Sequence, residues 1–192
     1  MKNHFTYNDL ELLLITKKGY EPKRAKRAVY QTKIFLRSLL FSTLIAFILF
    51  WFHSLKEALI IIILLKLYRG YSGGIHIKNY LLCFVSSLLL VGGTIAITKA
   101  LPLTIEIEIV LWLINLFLWF QYVPQGTDAR PIRKKEEKSK MKLYFFLSML
   151  LTFTIRFLWK DIYSMCLYSM LFTLLLITPA AYYLFRVKHD RV

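Results

Sequence analysis

Thiols, imidazoles and carboxylates are all scarce in this chain. Its 192 residues hold only two cysteines, Cys83 and Cys166, and four histidines. Both cysteines lie inside or beside apolar blocks, which excludes the disulfide framework of a small secreted domain. So few thiols and imidazoles, scattered as they are, point to no metal site. Acidic residues number 11 against 26 lysines and arginines, a formal net charge of +15. That excess would suit nucleic acid, but the basic segments lie between apolar blocks and contain no recognisable reading motif, so no nucleic-acid partner is expected. No phosphate-binding loop occurs, and no cofactor is expected. The first thirty residues are too polar for a cleavable signal, and the apolar block after them lacks a small-residue cleavage site.

What the chain does have is apolar length. Hydrophobic residues make up 57% and mean hydropathy is +0.52. A soluble core built from 192 residues cannot bury that much apolar surface, so lipid must cover part of it. Six apolar segments, about 34–52, 55–68, 80–97, 105–122, 143–158 and 162–185, predict an all-α polytopic membrane protein with about six transmembrane helices. Tryptophan and tyrosine recur at the segment ends (Trp51, Tyr80, Trp119, Tyr122, Trp159), as interfacial anchors do. If both termini are cytoplasmic, the outer side receives only Lys56, Lys99, Arg156 and Lys160 of the 26 basic residues, so the charge bias sets that orientation and the cell membrane as the location. Residues 1–30 read as a cytoplasmic or interfacial amphipathic segment, 31–186 as the membrane domain and 187–192 as a cytoplasmic tail. A short helix opens the first segment: Asn8 or Asp9 caps it, Lys17 and Lys18 close it and Gly19 stops it, and Pro22 then starts a basic helix.

The second apolar segment is short. Residues 55–68 give about 21 Å of helix against about 30 Å of hydrocarbon. The following Arg69-Gly70-Tyr71-Ser72-Gly73-Gly74-Ile75-His76 is expected to be non-helical, dipping below the inner headgroups where protein or water satisfies its backbone. His76 and Cys83 lie in this stretch, 69–83. A small buried thiol and a polar loop histidine are one reading of the pair; a thiol nucleophile with its base is the other. On one unbroken helix the two would sit about 10.5 Å apart along the axis, too far for proton transfer at about 3 Å. The chain is therefore expected to fold back at Gly73-Gly74, with the third span starting near Lys78 or Asn79 and Asn79 as its N-cap. That puts Cys83 in the first turns, where the positive helix end stabilises negative charge. Pairing across a dimer interface is the other solution.

The pattern Arg69, Gly73-Gly74, His76, Cys83 resembles that of the accessory gene regulator B family of quorum-sensing peptide processors. Tyr122-Val123-Pro124-Gln125-Gly126-Thr127-Asp128-Ala129-Arg130-Pro131-Ile132, followed by a basic run, looks like that family's second characteristic loop. Ile77 departs from the alanine that many relatives carry after the histidine. The resemblance implies a membrane cysteine endopeptidase, with Cys83 as catalytic nucleophile and His76 as base, that cleaves a short precursor peptide and supports its cyclisation to a thiolactone or lactone through an acyl-enzyme thioester. It also implies a precursor with an acidic carboxy-terminal tail, and a homodimer. Arg69 or the Gly73 and Gly74 amides are the candidates for supporting the oxyanion.

The basic loop, 123–142, has two readings: orientation and headgroup attraction, or capture of an acidic precursor tail by Arg130, Arg133, Lys134 and Lys135. Cys166 reads as packing, and Arg156 as snorkelling outward or pairing with a neighbouring span. A non-enzymatic small transporter or peptide-export component, gated by the Gly-rich loop, is the competing function class.

Overall fold

The computed structural model describes residues 7–74, 79–126 and 135–185. Every helix or strand assigned among them is an α-helix. The chain divides into two compact units, 1–45 and 46–192.

In the first unit, α1 (Tyr7–Lys18) ends at Gly19, whose φ of 63° is the left-handed conformation a helix stop requires. The Tyr20 N–H reaches back to the Leu14 carbonyl at 3.2 Å, closing the last turn. Asn8 and Asp9 lie inside α1, so neither is its cap; Asp9 instead complements the positive helix end and Lys17 and Lys18 the negative one. The helix α2 (Pro22–Trp51) also starts here, with the Glu21 carbonyl accepting from the N–H groups of Arg24 and Ala25. Pro22, which has no N–H to leave unpaired, occupies its first position.

The second unit starts within the last turns of α2 and contains α3 (Leu55–Ser72), α4 (Tyr80–Ala100), α5 (Ile105–Tyr122), α6 (Lys135–Leu158), α7 (Lys160–Leu175) and α8 (Pro179–Leu184). Helix α7 is central and packs on α3, α4, α5 and α6. Its Tyr163, Leu167, Met170 and Leu174 meet Tyr68, Leu111, Phe145 and Met149 in one core. Polar bonds tie the helices: Tyr68 and Thr152 hydroxyls lie 2.7 Å apart between α3 and α6, and Tyr163 Oη donates to Glu108 at 2.7 Å between α7 and α5.

Four helices, α2, α4, α5 and α6, are long and apolar enough to cross a membrane by length and composition. Helix α3 carries Lys56, Glu57, Lys66 and Arg69, and α7 has only 16 residues. Helix α7 is covered by its neighbours over most of its surface.

Three expectations are corrected. Arg69 to Ser72 are helical, because Tyr68 and Ser72 are buried against neighbours and outweigh the roughly 1 kcal/mol cost of Gly70 in a helix; the break comes at Gly73. The last apolar segment is not one helix: it is interrupted at 176–178, where Pro179 opens α8. The second loop is shorter than expected, since α6 starts at Lys135 and takes Lys138, Lys140 and Lys142 with it.

Candidate active site

Helix α4 starts as its sequence dictates. Asn79 is in extended conformation, and its side-chain oxygen accepts from the N–H groups of Leu81 and Leu82 at 3.0 and 3.2 Å. Two of the first-turn donors are thereby satisfied. The Cys83 N–H then donates to the Asn79 carbonyl at 3.0 Å, so Cys83 follows directly on the capped turn. Its thiol is free and half-buried. Its carbonyl accepts from Ser86 Oγ at 3.0 Å and Ser87 Oγ at 2.8 Å.

Facing it is the end of α3. Arg69 lies in the last turn and lines, together with Cys83, a cavity of about 260 Å³. A guanidinium and a thiol thus line the same mostly apolar cavity. After Ser72 the chain leaves the helix through Gly73 at φ 79° and Gly74 at φ 130°. A Cβ on Gly73 would collide with the Gln125 carbonyl, and one on Gly74 would stand 3.6 Å from Ile177 and 3.9 Å from Arg69 Nε. Both glycines are therefore required by conformation, and Gly73 also by close approach.

The α5–α6 connection braces this turn. The Gln125 N–H donates to the Ser72 carbonyl at 3.0 Å, forming an isolated parallel bridge with Gly73. Tyr182 of α8 donates to the Gly126 carbonyl at 3.2 Å. Lys142 donates to the Phe120 carbonyl at 3.0 Å and lies over the Trp119 and Phe120 rings, neutralising the carboxyl end of α5. Read from the sequence, Tyr182 is an interfacial anchor and Lys142 one of the basic residues of the second loop, and neither their contacts nor that of Gln125 is foreseen. Gln125 fell inside the second loop singled out by resemblance, and the interruption at Pro179 was the only sequence signal that residues near Tyr182 turn toward it.

Of the other residues singled out, His76, Arg130, Arg133 and Lys134 fall outside the described residues, while Lys135 is the exposed first residue of α6. Cys166 is fully buried against Tyr68, as a packing residue would be. Arg156 pairs with Glu108 at 2.9 Å. Among the described residues, no group of three histidines, cysteines or carboxylates gathers where it could hold a metal ion.

The chain is similar over much of its length to known proteins. The protein FsrB of Enterococcus faecalis is 29% identical over 132 residues, which cover 67% of this chain and 54% of that protein, so the chain spans about half of that relative. An AgrB-like protein of Clostridium perfringens is 26% identical over 147 residues, 69% of each chain. Another, of Clostridium acetobutylicum, is 27% identical over 135 residues, covering 69% of this chain and 65% of the relative. No solved structure matches. The family model described as accessory gene regulator B matches residues 12–178, from inside α1 to the residue before α8 and including the capped turn, the diglycine and Cys83, and this chain therefore belongs to the accessory gene regulator B family.

Proposed function

We propose that this protein is a membrane-embedded cysteine endopeptidase that processes a small quorum-sensing peptide precursor, with Cys83 as nucleophile and His76 as its base. The observation that carries the reading is a free, half-buried thiol just after the capped first turn of α4, sharing a cavity with the Arg69 cation. Membership of the accessory gene regulator B family supports it.

In the reaction, the Cys83 sulfur attacks the carbonyl of the scissile peptide bond. A carbon–sulfur bond forms, the carbon–nitrogen bond breaks, and the proton taken up by His76 leaves on the amine of the departing tail. The retained acyl group is a thioester. A cysteine thiol or serine hydroxyl of the same peptide then attacks that carbonyl, its proton passes to His76, and the Cys83 thiolate leaves. The product is a thiolactone or lactone ring. Water must be excluded during the second step, which favours a site at membrane depth. Arg69, with the Gly73 and Gly74 amides, supports the oxyanion; Arg130, Arg133, Lys134 and Lys135 attract an acidic tail.

The same reading places the chain in the cell membrane with about six crossings, α3 and α7 completing the four longer spans, and with both termini and the site at the cytoplasmic face. Two copies assemble as a homodimer.

The test uses membranes carrying the full chain and a synthetic precursor with a central cysteine and an acidic tail. Cys83→Ala should lower cleavage about a thousandfold or more while insertion is unchanged, and an acyl adduct on Cys83 should be trapped at low pH. Cleavage undiminished in Cys83→Ala would sink the reading.

A further inference from the structure

Helix α8 buries a single side chain. Pro179, Ala180, Tyr183 and Leu184 are exposed, and Tyr182 is its one buried residue. The break before it is not a loose hinge. The N–H groups of Leu176, Ile177 and Thr178 reach the carbonyls of Phe172, Leu174 and Leu175, and the Thr178 carbonyl accepts from Ala181 and Tyr182. With these donors satisfied, the direction in which α8 leaves α7 is fixed. Three side chains then bring this end of the chain to the Gly73-Gly74 turn. Ile177 stands 3.6 Å from where a Cβ on Gly74 would be. Phe185, which ends α8, lines the cavity shared by Arg69 and Cys83. Tyr182 is within electrostatic reach of Arg69, and its hydroxyl donates to the Gly126 carbonyl at 3.2 Å. Gly126 adjoins Gln125, whose N–H holds the Ser72 carbonyl at 3.0 Å and whose own carbonyl abuts Gly73. The second loop is thus gripped by α3 on one side and by α8 on the other.

Resting on the reading of Cys83 as nucleophile, we infer that Tyr182 is a positioning residue for the reaction. Its hydroxyl, acting through Gly126 and Gln125, holds the Gly73-Gly74 turn in place beside Arg69 and Cys83. Tyrosine suits the task, because its ring is buried as packing while the O–H at its tip reaches a backbone acceptor. The turn needs such support. Gly73 and Gly74 both stand at positive φ and carry no side chain to anchor them, and glycine has the most backbone freedom of any residue. Amides support an oxyanion only while they stay aimed at the position where the charge develops. Loosening the turn should therefore slow the chemical step and leave precursor binding nearly unchanged.

The experiment uses the full chain in nanodiscs and the synthetic precursor, with rates referred to protein that elutes as a single species. Tyr168→Phe is the matched control. Tyr168 is comparably buried on α7, and its hydroxyl donates to the Leu101 carbonyl at 3.3 Å, at the other end of α4 from Cys83. Tyr182→Phe should lower kcat about fivefold with KM within about twofold, whereas Tyr168→Phe should leave both within about twofold. Hydrogen exchange reads the turn directly: the Gln125 N–H should exchange about fivefold or more faster in Tyr182→Phe and at the parent rate in Tyr168→Phe. Equal losses of kcat in the two variants would reduce Tyr182 to a fold-stabilising residue and overturn the proposal. A Tyr182→Phe kcat at the parent level, or a loss confined to KM, overturns it too. So does a lowered kcat with Gln125 exchange unchanged, because the hydroxyl would then act by another route. Cleavage that persists in Cys83→Ala removes the nucleophile and this proposal with it; cleavage that needs Cys83 but not the Tyr182 hydroxyl removes only the positioning role.

Discussion

At the scale of single residues, two glycines three positions apart make opposite demands. Gly70 is inside α3, and a Cβ there meets nothing within 4 Å; Gly73 stands at φ 79° against the Gln125 carbonyl. Gly70→Ala should therefore leave stability unchanged or raise it by about 0.5–1 kcal/mol, since helical alanine costs less conformational entropy than glycine. Gly73→Ala should lower it by about 1–3 kcal/mol and detach the second loop from the turn. Thermal unfolding of the two variants in detergent decides the matter: a Gly73→Ala protein as stable as Gly70→Ala would mean the turn does not need the bridge to Gln125. The sequence announces the Gly73-Gly74 bend through its composition alone, but its partner is a backbone carbonyl fifty residues away, and no side-chain pattern encodes a backbone contact.

At the scale of elements, the start of α4 was legible because capping is local chemistry. Asn79 precedes an apolar run, and its side chain binds two N–H groups of the next three residues. Asn79→Ala should cost about 1 kcal/mol at that helix end and slow precursor cleavage by loosening the turn that fixes Cys83; Asn79→Asp should restore both. Comparing kcat/KM with thermal stability separates the effects, because a loss of activity without rescue by aspartate would show that the amide does something other than cap. The end of α3 was not legible. Gly70 and Arg69 read as the opening of a loop, yet burial of Tyr68 and Ser72 extends the helix to Ser72, a tertiary effect that overrides local propensity. Likewise the break before Pro179 hides in a continuous apolar run, where hydropathy alone does not separate one helix from two.

At the scale of the whole molecule, charge is arranged by end. Basic residues crowd the amino-terminal turns of α6, at the same end as the Gly73 bridge. At the opposite end two of the cations meet carboxylates: Lys99 lies 3.9 Å from Glu57, and Arg156 pairs with a mostly buried Glu108 that also accepts from Tyr163. Glu108→Gln should destabilise by about 1–2 kcal/mol, held down because the Arg156 guanidinium is partly exposed, whereas Arg156→Gln/Glu108→Gln should recover part of that loss. Among the described residues of the second unit, basic side chains are therefore in excess at the end where Cys83 sits, which is the asymmetry that orients helices in a membrane. The consequence is measurable in a Cys83→Ser background, where the remaining Cys166 is buried. Pro102→Cys, in the connection between α4 and α5, should react with an impermeant maleimide on intact cells. Ser139→Cys, on an exposed face of the first turns of α6, should react only after the cells are opened. Labelling in the reverse order would put the basic end, and the Cys83 cavity with it, outside the cell and would overturn the proposed orientation.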